Sequence, residues 1–382
     1  MKKILVIHNK YQNEGGEDIA VSREIEFLSQ HYEVDTLIFQ NNQKIGFIEI
    51  IFLLINYNFK SVSLLKKKIK LFKPDIVYIH NTWYKASPGI LTYLIKNKFK
   101  IILKLHNFRY FCTKSFFPTH HFQKMNFCGC CSMLKEENKY FNKYFKESFI
   151  KSFLVNIYGK KYLKLLKNDN VKVIVLTQFH KNFLKVNKIK NSSVYVNSNP
   201  FKENLIISSK KKQKYILYAG RVSQEKGVKE LIKAFLNWNN EDLILKIVGD
   251  GPELENLNNE FKNSKIHFLG KLENDTVLDL IAQSQAVVLN TKLYEGQPTI
   301  LSEASLLEVP SLFPDTGGIS EFFPINYKLM YEQFNYSELI EKFELLKDKN
   351  LLQKIGSENR NHLLENYNSN KIIEQFEKIL NE

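Results

Sequence analysis

The sequence predicts an α/β chain of two doubly wound domains, each a parallel sheet with helices on both faces. Three observations carry that expectation. The 382 residues exceed what one hydrophobic core usually organises. Short apolar runs alternate with helical patterns through the first hundred residues, and the same rhythm restarts near residue 214. Between the two series, the stretch from Asn197 to Gln213 loses apolar periodicity and gathers Ser, Asn and Lys, as a linker does. The expected division is residues 1–197 and 198–365, with a last helix, 366–382, packing back on the first domain.

In the first series KILVIHN (3–9), YEVDTLIF (32–39), PDIVYIHN (74–81) and FKIILKLHN (99–107) read as strands. Helical patterns fill residues 17–30 and the amphipathic stretch ending KKKIKLF, while Pro74 and Gly89 mark changeovers. A long basic helical region then leads to the strand VKVIVLT (171–177). The second series runs KYILYAG (214–220), a helix from Lys226, LILKIVG (243–249), a helix after Pro252, KIHFLG (265–270), a helix from Asp275 and AVVLN (286–290). Two helices, 350–366 and 370–381, close the chain.

Hydrophobic residues make up 44% of the chain, with 29 Phe and 19 Tyr, which is enough for two cores and excludes a disordered chain. The net charge of +15 is unevenly spread. Residues 1–198 carry 33 basic and 13 acidic side chains, the remainder 22 and 27. A first half this basic suits an anionic surface, although a solvated lysine-rich face is the plainer reading. The opening MKKILVIHN leads directly into a strand-like run, so a cytoplasmic protein is expected. The longest apolar stretch, Gly46 to Phe59, contains Glu49 and falls short of the about 20 residues that span a bilayer, which leaves a core or interfacial helix.

In open α/β sheets ligands bind beyond the carboxyl ends of the strands. Strand KYILYAG ends in Gly220 and Arg221 and is followed by Lys226 and Gly227 at a helix start, two cations and a close backbone approach that suit a diphosphate. The segment YEGQPTILSEA (294–304) sets Glu295 in the loop after AVVLN and Glu303 one to two turns into the next helix. Gly296 and Pro298 shape the turn, so that the helix N-terminus near Thr299 and Ile300 offers free N–H groups to an anion. Surface roles for any of these charges remain open on residue type alone, and Asp250 in VGDGPE reads as a turn residue.

Taken together, Gly220-Arg221 with Lys226, VGDGPE, FLGKL, the Glu-x7-Glu pair and TGGISE resemble glycosyltransferase family 4 over residues 214–322. NEGGED (13–18), HNTW (80–83) and LHNFRYFC (105–112) extend the resemblance into the first half. It implies the GT-B architecture, two Rossmann-like domains facing across a cleft, and a retaining transfer of a sugar from a UDP-, GDP- or ADP-sugar. The implied acceptor is a saccharide or an undecaprenyl-diphosphate-linked saccharide in capsule, O-antigen or exopolysaccharide synthesis. By that similarity Arg221 and Lys226 hold the donor diphosphate in place of a catalytic metal, Glu303 meets the nucleotide ribose and Glu295 the transferred sugar. His106 would lie near the donor sugar, and Gly15 and Gly16 would form the loop after the first strand where ligands approach the backbone. The sequence departs from the family at Glu308, where a glycine is common, and after TGGISE. A non-catalytic sugar-nucleotide-binding scaffold, or an epimerase on the same fold, are the competing readings.

All four cysteines fall within twenty residues: Cys112, Cys128, Cys130 and Cys131, with His120 and His121 between. Cys128 and Cys131 have a C-x2-C spacing, and with Cys112 and a histidine they would complete a structural zinc site; reduced thiols are the simpler alternative. From Asn138 to Lys190, thirteen Lys are interleaved with Tyr140, Phe141, Tyr144, Phe145, Phe149 and Phe153. That mixture fits peripheral attachment of the first domain to the inner face of an anionic membrane, or else an amphipathic helix covering the sheet. No nucleic-acid-binding module accompanies it.

Overall fold

The first sheet follows from strands that are almost wholly apolar, as strands covered on both faces must be. In the computed structural model they are β1 (Lys3–Lys10), β2 (Glu33–Gln40), β3 (Ile76–Ile79), β4 (Ile101–Lys104), β5 (Val171–Val175) and β6 (Val194–Val196). The structure describes residues 1–12, 15–41, 46–117, 127–134, 141, 143–145, 147–203, 205, 211–240 and 242–382. The six strands are parallel, in the order β2-β1-β3-β4-β5-β6. Strand order reverses between β1 and β3, so that the exits of those two strands form the switch point.

Helices α1 (Gly16–Ser29), α2 (Phe47–Ile55), α3 (Phe59–Phe72), α4 (Pro88–Lys96), α5 (Tyr110–Thr113), α6 (Phe149–Leu166) and α7 (Gln178–Val186) connect these strands. Local chemistry sets their starts. Asn58 accepts from the backbone of Lys60 and Ser61 to cap α3, and Thr177 accepts from His180 N to cap α7. The core gathers Leu5, Ile7, Val77, Ile79, Leu103 and Val173 from the strands with Leu65, Leu94, Tyr158 and Leu184 from the helices.

The second sheet contains β7 (Tyr215–Ala219), β8 (Ile244–Val248), β9 (Ile266–Gly270), β10 (Ala286–Val288), β11 (Ser311–Asp315) and β12 (Met330–Glu332). It is again parallel, ordered β12-β11-β10-β7-β8-β9, and its switch point lies between β7 and β10. Its helices are α8 (Val228–Asn237), α9 (Leu254–Glu260), α10 (Asn274–Gln283), α11 (Thr299–Leu306), α12 (Tyr336–Glu344) and α13 (Lys349–Tyr367); α14 (Ser369–Asn381) ends the chain. The helix expected from Lys226 begins two residues later, because Gln224–Lys226 form a 3-10 turn and Gly227 turns left-handed at φ 65°. The chain divides into one unit of Met1–Pro200 with Lys378–Glu382 and a second of Phe201–Glu377.

Among the described residues no single helix is long and apolar enough to cross a membrane; α2 and α3, bent by 74°, satisfy length and composition only as a pair. Of α2 only Leu53 is buried, and Phe47, Ile48, Ile51, Leu54 and Ile55 are exposed. Helix α6 instead buries Leu154, Val155, Tyr158, Tyr162, Leu163 and Leu166, and exposes Phe149, Ile150 and Phe153 in its first turns. Most of the basic aromatic segment therefore covers the sheet. Tyr140 lies outside the described residues.

Candidate functional site

In the second unit the switch point brings together the exits of β7 and β10. After β7 the chain turns through exposed Gly220 and Arg221, and the Tyr218 hydroxyl donates to the Arg221 carbonyl at 2.8 Å. Interlocking loops hold this turn. Gly220 N donates to Val248 O at 3.0 Å and Val222 N to Asp250 O at 2.9 Å, while a Cβ on Gly249 would stand 1.8 Å from Gly220 O. The glycine in VGDGPE is thus required by the close approach of two backbones, and Asp250 serves the loop through its carbonyl.

After β10, Asn290 Nδ2 donates to Gly227 O at 2.7 Å and its Oδ1 accepts from the Tyr331 hydroxyl at 2.6 Å. Lys292 N donates to Glu225 O at 2.9 Å. These bonds hold the β10 exit against the segment that leads into α8. Their consequence is the ion pair between Lys226 Nζ and Glu295 Oε1, in which both side chains are about one quarter or less exposed, at 24% and 20%. Thr291 Oγ1 donates to the same carboxylate oxygen at 2.9 Å. A third loop supports Glu295 from behind: Gly318 N donates to Glu295 O at 2.8 Å and Thr316 Oγ1 to Leu293 O at 3.3 Å.

Helix α11 starts at Thr299 behind Pro298, with Gly296, Thr299 and Ile300 half-buried, and Glu303 sits 6% exposed on its second turn. The structure therefore joins Lys226 to Glu295 directly, leaves Arg221 exposed at the neighbouring strand exit and buries Glu303 in α11. A cation held beside a carboxylate at a switch point, with an exposed guanidinium beyond the adjacent strand, can neutralise a diphosphate while accepting from hydroxyls.

The first unit builds its own polar cluster beyond β1, β3 and β4. His80 Nδ1 and His106 Nε2 lie 3.0 Å apart, sharing one hydrogen. Burial, then His80 and Lys104, hold the half-buried His106 well below the usual histidine range, and burial with Lys104 and His8 does the same for His80. Both rings are therefore neutral near pH 7. Gly15 caps α1 by donating from its N–H to Asp18 Oδ2 at 2.9 Å, and Asp18 also meets His8 Nε2 at 2.8 Å. Burial opposes ionisation of Asp18, yet the bonds from His8 and Gly15 win and its carboxyl lies below the ordinary range. Among the described residues, apart from its chain neighbours and its own helix backbone, no atom lies within 4 Å of where a Cβ on Gly16 would stand, so none of them demands glycine there.

Sequence reasoning did not single out Glu17 or Arg109. Glu17 accepts from the Tyr11 hydroxyl at 2.8 Å, and burial raises its carboxyl above the ordinary range. The Arg109 guanidinium lies 5.1 Å from the Tyr110 ring centre and 5.9 Å from those of Tyr11 and Trp83. The motifs NEGGED and LHNFRYFC contain both residues, but a lone Glu and Arg in loops carry no signal until the strands bring them together.

Residues 201–362 match the family model described as glycosyl transferases group 1, which begins at the first residue of the second unit. Over 130 residues the chain is 32% identical to TuaC of Bacillus subtilis (strain 168), named for a glycosyltransferase role in teichuronic acid biosynthesis, covering 34% of this chain and 32% of that protein. Over 174 residues it is 29% identical to the N-acetyl-alpha-D-glucosaminyl L-malate synthase of Bacillus anthracis, covering 44% and 45%. The matched segments thus span about a third and under half of these curated relatives. The fold matches a sucrose-phosphate synthase from Thermosynechococcus elongatus with TM-score 0.71 at 14% identity, covering 100% and 98% of the two chains. It also matches Anabaena HepE, solved with UDP and glucose, with TM-score 0.72 at 15% identity over 100% of both. The chain has the GT-B fold.

Proposed function

We propose that this chain is a retaining glycosyltransferase that moves a sugar from a nucleotide-sugar to a saccharide, or to a lipid-linked saccharide, during assembly of a surface polysaccharide. The observation that carries the reading is the Lys226–Glu295 pair at the switch point of the sheet whose unit matches the group 1 model. Arg221 and Lys226 meet the donor diphosphate and stabilise the charge that grows on it as the anomeric C–O bond breaks. Glu295 accepts from hydroxyls of the transferred sugar and Glu303 from the ribose. The acceptor hydroxyl forms the new C–O bond on the face the diphosphate leaves, and its proton passes to a diphosphate oxygen. In this reading Arg221, Lys226, Glu295 and Glu303 take the part that a catalytic metal plays elsewhere. His106, in the first unit, is neutral through burial and can offer a hydrogen bond without adding charge.

HepE has been solved with UDP-glucose, which makes UDP-sugars the first donors to try. Membrane attachment is read from the exposed apolar side chains of α2 together with Phe59 and the exposed Lys60, Lys66, Lys67 and Lys70 of α3.

The test is release of the nucleoside diphosphate from a panel of UDP-, GDP- and ADP-sugars, with and without saccharide acceptors, followed by the anomeric configuration of the product. Transfer that falls on the order of 100-fold in Arg221→Ala, and donor affinity that falls about tenfold in Glu303→Ala, are the expected results. Tight nucleotide binding with neither transfer nor hydrolysis for any donor would replace this reading by the scaffold.

A further inference from the structure

Cys112 is carried by the short helix α5, and the other three cysteines lie in a turn closed by an antiparallel bridge between Phe127 and Leu134. Within that turn Cys128 N donates to Met133 O at 3.0 Å and Ser132 N to Cys128 O at 2.9 Å, with Ser132 left-handed at φ 62°. The turn folds three consecutive thiols inward. The sulfurs of Cys112, Cys128 and Cys130 all lie within 4.8 Å of one another, and those of Cys112 and Cys128 are 3.3 Å apart. Cys131 is 2% exposed, and its thiol reaches those of Cys112 and Cys128.

Weakly polar thiols gain little from each other's company, so three clustered sulfurs with a fourth beside them suit a partner that thiolates ligate well. A tetrahedral zinc ion with Zn–S of about 2.3 Å spaces its sulfurs about 3.8 Å apart, inside the range this cluster spans. Backbone N–H groups also point at the sulfurs, from Cys130 to Cys128 and from Met133 to Cys131, the outer hydrogen bonds that orient thiolate ligands.

We propose that Cys112, Cys128, Cys130 and Cys131 bind one zinc ion as a structural tetrathiolate. The set differs from the one the spacing suggests in adding Cys130, whose sulfur groups with those of Cys112 and Cys128, while Cys131 reaches the latter two; His120 and His121 lie outside the described residues. The ion would fix α5, and hence Arg109 immediately before it, whose guanidinium packs on Tyr11 beside Glu17. Its role is to hold the polar cluster of the first unit in place.

The experiment uses the full chain, purified under reductant without chelator. Elemental analysis by plasma mass spectrometry should give about one zinc per chain, retained through desalting. Cobalt(II) added to zinc-stripped protein should give the intense visible bands and sulfur-to-metal charge transfer of a tetrahedral thiolate site, abolished by one equivalent of zinc. Cys128→Ser and Cys131→Ser should each lose those bands. Reduced protein that retains no zinc after incubation with it, cobalt spectra of a weak octahedral kind, or full zinc content in a Cys112→Ser/Cys128→Ser double variant would each overturn the proposal. The cobalt spectrum is read on the unmutated chain, so a variant that fails to fold does not obscure the answer.

Discussion

Gly317 lies against the backbone of Glu295 so closely that a Cβ on it would stand 2.2 Å from Glu295 O and 2.6 Å from Glu295 N. Its φ of 62° adds a second reason for glycine. The TGG loop after β11 is therefore the backstop of the loop that presents Glu295 to Lys226, and the two motifs are one structural device.

Gly317→Ala should destabilise the second unit by at least about 1 kcal/mol, because the new methyl must push the Glu295 loop away. Transfer should fall on the order of 100-fold, since displacements near 1 Å at a reacting centre cost that much. Gly16→Ala is the contrast: no described atom outside its own helix and neighbours crowds that position, so the melting temperature should hold or rise slightly while any loss of transfer reports a ligand close to the backbone. Thermal melting and steady-state rates of both variants check this; a Gly317→Ala protein as active and stable as the parent would contradict it.

Lys104 and Glu24 pair at 2.9 Å with side chains 0% and 4% exposed, and the Tyr78 hydroxyl donates to the same carboxylate at 2.6 Å. Lys104 also reaches Ser198 O at 3.3 Å. Lys104→Met should cost about 3–5 kcal/mol in chemical denaturation, because it strands a buried carboxylate. Adding Glu24→Leu should recover most of that loss. A single variant with unaltered stability would show that Glu24 does not need its partner.

This pair also marks the limit of what the sequence discloses. Strands such as Val171–Val175 and Tyr215–Ala219 are legible because parallel strands covered on both faces are continuous apolar runs. A lysine inside such a run reads as one solvent-facing residue, and its partner 80 positions away offers no local clue. Strands β6 and β12 have three residues each, and, unlike equally short β10 within AVVLN, no apolar run longer than three marks them. The Lys226 and Glu295 positions were legible as strand-exit residues, but their direct pairing depends on β7 and β10 being neighbours, a fact of topology.

Stability should fall as the pH drops below neutrality, through His80. Burial holds its folded imidazole well below the usual range, whereas the unfolded residue titrates near 6.5. Above about pH 6.5 both states are neutral and no penalty arises; below it the unfolded chain takes up a proton that the folded chain refuses. The loss approaches about 1.4 kcal/mol per pH unit until the folded value is reached. Glu17 opposes this at the acidic end, because its raised carboxyl favours the protonated folded state. Melting curves at pH 7.5 and 5.5 test the sign, and His80→Asn, which cannot titrate, should lessen the dependence, the remainder coming from His106, which burial holds low in the same way.

Glu308 gives the last prediction, because it is a non-glycine residue that adopts φ 55°. A side chain in the left-handed region costs on the order of 1–2 kcal/mol, and here the backbone has no alternative. Glu308 follows the C-terminus of α11, its N–H donates to Ser305 O at 3.1 Å, and the chain must reverse at once to enter β11. The opposite wall is equally tight, since a Cβ on Gly356 of α13 would stand 2.1 Å from Glu308 O. Glu308→Gly removes the strain in the folded state but widens the conformational range of the unfolded chain, which offsets part of the gain. The net expectation is a rise in stability of roughly 0.5–1 kcal/mol with transfer unchanged, because the carboxylate lies outside the Lys226 and Glu295 loops. A lower melting temperature in Glu308→Gly would mean that the side chain, rather than the backbone turn, is what this position retains.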